Sequence, residues 1–132
     1  MSTAPKIKHV HYDETFPIMD REQIDTLILG DEFNSDTTLV RELFDLFVNE
    51  GAAKLEALPV VCTQGDLLEL RNIVHFIVGS ACHLGLVRLA AFYRAIERAV
   101  DEQQLTDITE LAAPILREFE LAREAFRADF NL

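Results

Sequence analysis

Cysteine is scarce in this chain, basic residues are scarce, and long apolar runs are missing. The two cysteines, Cys62 and Cys82, show no framework spacing and no CxxC. That excludes a disulfide-stapled scaffold and fits free thiols in a reducing compartment, with burial as small apolar residues their ordinary use. Twelve lysines and arginines stand against twenty-three acids, a formal charge of −11. Repulsion of that size argues against nucleic acid and anionic lipid as partners. No apolar run approaches the roughly 18 residues of a membrane span, and MSTAPKIKHVHYDE lacks the apolar stretch of a signal peptide, so a cytoplasmic protein is expected. Also missing are a GxxxxGK[ST] phosphate loop, a kinase nucleotide signature and a nucleophile elbow, which removes the usual grounds for an independent enzyme.

What is present is a 132-residue chain, 49% hydrophobic and 27% charged, which suits one folded domain. Residues 1–17 are aperiodic and are expected to be a flexible N-terminal segment; residues 18–132 carry helical periodicity. His9 and His11, at i and i+2, supply too few ligands for a metal. Asp20 and Gln23 have capping-box spacing ahead of a short helix that ends at Gly30. Asn34, Ser35 and Asp36 offer an N-cap for a second helix, whose stripe from Leu39 through Phe47 to Leu58 is ended or kinked by Pro59, with Gly51 weakening it midway. A third helix starts near Gly65 and Asp66 and stops at Gly85. A fourth buries Leu89, Phe92, Tyr93, Ile96 and Val100. In the last segment Ile108, Leu111, Ile115, Phe119, Ala122 and Phe126 keep one phase across Pro114, which predicts a single kinked helix. No alternating runs compete. The fold class is therefore all-α: an antiparallel four-helix bundle with a short additional N-terminal helix.

On a helical wheel, the third helix turns Leu70, Ile73, Val74, Ile77, Ala81 and Leu84 inward. His75 falls about 150° from the centre of that stripe, facing solvent. Leu68, Arg71, Asn72, Val78, Gly79 and Cys82 are read onto the same outer face, a mixed patch suited to docking. Gly79, one turn after His75, costs about 1 kcal/mol against alanine within a helix, and the missing side chain would let another molecule approach the imidazole closely.

His75, Gly79, Ser80, Leu84 and Gly85, followed by Leu86, Arg88 and Leu89, resemble the H-x-L-K-G-S-S-x-x-L-G pattern of histidine-containing phosphotransfer (HPt) domains. The tail EFELAREAF, Glu118 to Phe126, is similar to the terminal helix of stand-alone phosphorelay members. The resemblance implies a phosphocarrier, not an enzyme, that accepts a phosphoryl group on His75 from a receiver-domain aspartate and passes it to another receiver. It implies Nε2 as the nucleophile. The partners it implies are receiver domains of response regulators and of hybrid histidine kinases; the carrier itself is expected to be a monomer. No cofactor is expected on this chain, and Mg2+ is expected on the receiver.

Val78 departs from the pattern, which places a lysine there. Arg71, Arg94 and Arg98 are the candidates to meet phosphoryl charge in its stead. Glu97, 22 residues after His75, stands where related carriers hold a polar residue near the histidine, either orienting Nδ1–H or pairing with an arginine. Two other readings stay open. One is a degenerate HPt-like bundle that binds a kinase or receiver through Leu68, Val78 and Cys82 without being phosphorylated. The other is a metal site on His75, Cys82 and His83, weakened by the direction of His83 and the lack of an inward Glu-x-x-His set.

Overall fold

The computed structural model describes residues 4–22 and 38–130. Among these residues five helices are complete, in order: α1 Thr38–Leu55, α2 Leu58–Gln64, α3 Leu67–His83, α4 Val87–Asp101 and α5 Ala112–Phe130. The four long ones form an antiparallel bundle, with α2 a single short link between α1 and α3. Apart from an isolated bridge between Ile7 and Val10, the described residues contain no strand pairing. None of their helices is long and apolar enough to cross a membrane. The expected first helix lies outside the described residues beyond Glu22, as do the caps proposed at Asn34, Ser35 and Asp36. At its start Asp20 Oδ1 accepts from the Glu22 amide at 3.0 Å.

Each helix end has a local cause. Pro59 does not end a long helix but occupies the first turn of α2, where its missing N–H leaves no bond unmade. Gly65 closes α2 at φ 69°, and Asp66 then caps α3 by accepting from the Glu69 amide at 3.1 Å. Leu84 and Gly85 end α3. Gly85 takes φ 68°, its amide donates to Cys82 O, and the Leu86 amide donates to Ala81 O, the paired bonds of a left-handed helix stop. That stop reverses the chain within three residues and lays α4 back along α3.

The single kinked last helix is corrected. Ile108 and Leu111 are buried, but they belong to an irregular approach, and α5 begins only at Ala112. Pro114 sits in the first turn of α5, where a proline is compatible with a helix; in the interior of one it would remove a backbone hydrogen bond.

Stacked rings hold α1 against α5: Phe44 on Phe126 at 4.6 Å and Phe47 on Phe119 at 4.9 Å between centroids. Gly51 belongs to this seam. A Cβ there would lie 2.6 Å from Phe119 Cε2, so the glycine makes room for the ring. Fully buried side chains of this kind contribute roughly 1.5–3 kcal/mol each. Between α4 and α5, Arg88 and Glu118 form a buried pair, with Nε to Oε1 at 2.7 Å and the second arm at 3.2 Å. Tyr93 donates to Ile115 O at 2.9 Å, and burial holds its phenol well above the usual titration range. Residues 4–17 lie along the bundle. Val10 is buried, and the Tyr12 ring packs on Phe92 at 5.4 Å.

Candidate functional site

The site is built on the facing flanks of α3 and α4. Arg71 and His75 are one turn apart on α3; Glu97 and Asp101 are one turn apart on α4. Because the helices run antiparallel, each step up one meets a step down the other, so Asp101 faces Arg71 and Glu97 faces His75. His75 Nδ1 lies 3.0 Å from Glu97 Oε1 and 3.1 Å from Oε2. Glu97 Oε1 also takes the Arg71 Nη2 at 3.0 Å. Arg71 Nε donates to Asp101 Oδ1 at 2.6 Å, and its Nη2 donates to Oδ2 at 3.2 Å.

A carboxylate only accepts, so the proton of a neutral His75 belongs on Nδ1 and the lone pair on Nε2. The imidazole side chain is 67% exposed, while the carboxylate holding it is 16% exposed. The ring is therefore oriented from below and open above. The Asp101 hydrogen bonds raise the Arg71 guanidinium further above its ordinary value, and the same bonds hold the Asp101 carboxyl below the usual carboxylate range.

Leu68, Asn72, Phe76 and Gly79 surround His75 on the exposed face of α3. Leu68 is 68% and Phe76 42% exposed. Phe76 was not singled out from the sequence, because its position on the wheel marks it as outward without saying what it neighbours. Lys54, from α1, places its Nζ 4.8 Å from the centre of the Phe76 ring. At Gly79 an added Cβ would meet nothing within 4 Å. Ser80 faces inward enough to donate to Ile77 O at 3.2 Å, a local bond.

One expected docking residue is corrected. Val78 is only 8% exposed and belongs to the core. The wheel centred the buried stripe on Leu70, Ile73 and Ile77, but α4 packs along the flank of α3 and widens the buried arc as far as Val78. Cys82, on that same flank, is half-buried, and Arg94 Nη2 lies 3.0 Å from its sulfur. Cys62 is buried, and its thiol is pushed up by that burial. Arg98 is exposed and has no ion-pair partner among the described residues. No group of three His, Cys, Asp or Glu among the described residues is placed to hold a metal ion.

Asp101 was missed from the sequence. The signal was there, in two i,i+4 pairs of opposite charge preference on consecutive helices, but using it requires the register between helices.

Residues 42–129 match the family model described as Hpt domain. Among solved structures, histidine-containing phosphotransfer protein B (HptB) from Pseudomonas aeruginosa PAO1 is similar, at 26% sequence identity and a TM-score of 0.70. The alignment covers 89% of this chain and 97% of that one. No curated protein sequence matches the chain.

Proposed function

The chain belongs to the Hpt domain family, and from that premise we propose that His75 is its phosphoacceptor and that the protein carries phosphoryl groups between receiver domains. The observation that supports this most is the open imidazole whose Nδ1 is held by Glu97. In the proposed step the Nε2 lone pair attacks the phosphorus of a receiver's aspartyl phosphate. The N–P bond forms as the P–O bond breaks, and the aspartate leaves as a carboxylate. The second transfer runs the same exchange in reverse onto another aspartate. Such a reaction depends on positioning and charge more than on covalent machinery. Magnesium in the receiver's acidic pocket would supply charge neutralisation on that side. Arg98, exposed on α4, adds to it from this side, whereas Arg94 is engaged by the Cys82 sulfur.

Leu68, Asn72, Phe76 and Gly79 form the docking face in this reading, apolar enough to seat a partner and flat enough at Gly79 to admit its active centre. Contact of this kind is transient, because each receiver has to be released. A second reading, docking without phosphorylation, draws on Val78 in place of a lysine and on the carboxylate of Glu97 beside the ring.

The two readings separate in one experiment. Purified protein is mixed with several phosphorylated receivers, and phosphate that is acid-labile but alkali-stable is sought on the wild type and on His75→Gln. Label on the wild type alone supports the carrier. Equal receiver binding by both proteins with label on neither supports docking only.

A further inference from the structure

We propose that Arg71 is a positioning residue: it holds Glu97 in place as the acceptor for His75 Nδ1 and balances that carboxylate's charge, while Asp101 anchors Arg71 in turn. This rests on the reading of His75 as phosphoacceptor. It differs from a direct role for Arg71 at the phosphoryl group. The Nε and Nη2 edge, one of the two that can clamp a carboxylate or phosphoryl in parallel bonds, is already engaged by Asp101 and Glu97 at 2.6, 3.2 and 3.0 Å.

Glu97 needs such a partner. It is mostly shielded from solvent, so its charge acts on its neighbours with less screening than a surface carboxylate's. Unbalanced, it would favour the imidazolium of His75, which has no Nε2 lone pair to attack with, and it would repel an arriving phosphoryl group. The other charged groups around the ring do not replace Arg71. On α4, Arg94 is turned to the Cys82 sulfur, Arg98 is exposed, and Asp101 adds negative charge; from α1, Lys54 stands over Phe76. On α3, Arg71 is the cation that touches Glu97.

The test is a double-mutant cycle of Arg71→Gln, Glu97→Gln and the pair. Two readouts are taken: the 15N shifts of the His75 ring in the unphosphorylated protein, and the pH–rate profile of phosphoryl uptake from phosphoramidate. In the wild-type background, Arg71→Gln moves the rate midpoint upward, because the cation that balances Glu97 is gone. It also changes the ring shifts away from a fixed Nδ1–H form. In the Glu97→Gln background the same substitution changes the rate less than about twofold, because the residue it acts through is gone. Equal slowing in both backgrounds would overturn the proposal in favour of phosphoryl contact. Unmoved ring shifts and an unmoved profile would overturn it outright. If no variant takes up phosphate, the phosphoacceptor reading fails, and the ring shifts alone still decide whether Arg71 acts on His75 through Glu97.

Discussion

At Gly79 the free chain has no steric need for a glycine, since a methyl group would stand in open space. Alanine there should stabilise the fold by about 1 kcal/mol, the ordinary helix preference. If the bare backbone exists for an incoming receiver, Gly79→Ala should also slow transfer, by roughly tenfold for a docking cost of about 1.4 kcal/mol. Urea unfolding and a transfer assay on the same preparation check both halves. A variant that is more stable and equally fast would mean that Gly79 is merely tolerated. Single residues were legible to the extent that one helix decides them. His75, Leu68 and Asn72 face outward, as their phase on α3 requires. Val78 does not, because its burial is decided by α4, and the wheel of α3 carries no information about which flank a neighbour covers. Glu97 and Arg71 were both in view as candidates, yet their junction with Asp101 depends on register and could not be read one helix at a time.

At the scale of helices, the junction of α4 and α5 depends on a buried ion pair that no periodicity announces. Arg88 and Glu118 are 5% and 1% exposed. Removing one partner strands the other charge out of water, so Arg88→Met should cost about 3–5 kcal/mol. Adding Glu118→Leu should restore most of that loss, because two apolar side chains of similar volume leave no charge unpaired. The urea midpoints of the single and double variants measure it; a double variant no more stable than the single one would contradict this account of the pair. Helix ends were readable where a residue's own backbone preference sets them, as at Asp66 and Gly85. They were misread where only tertiary packing distinguishes a helix from an irregular buried approach. Ile108 and Leu111 keep the phase of α5 while lying outside it, and Pro59 starts a helix instead of stopping one. Gly51 looked like a weakness in α1. It is the seat of the Phe119 ring, a relation between segments 68 residues apart in sequence that intrinsic propensity does not contain.

For the molecule as a whole, the proposed function makes the bundle a stand for one ring. The four long helices bury a continuous apolar core, and the chain carries a formal charge of −11, which opposes binding to nucleic acid or anionic lipid. The HPt reading singles out one histidine from four. The most direct measurement is 15N–31P NMR on histidine-labelled protein after phosphoryl uptake from a receiver. The account predicts phosphorus bonded to Nε2 of His75 and to no other nitrogen. Phosphorus on His75 Nδ1, or on His9, His11 or His83 instead, would contradict it.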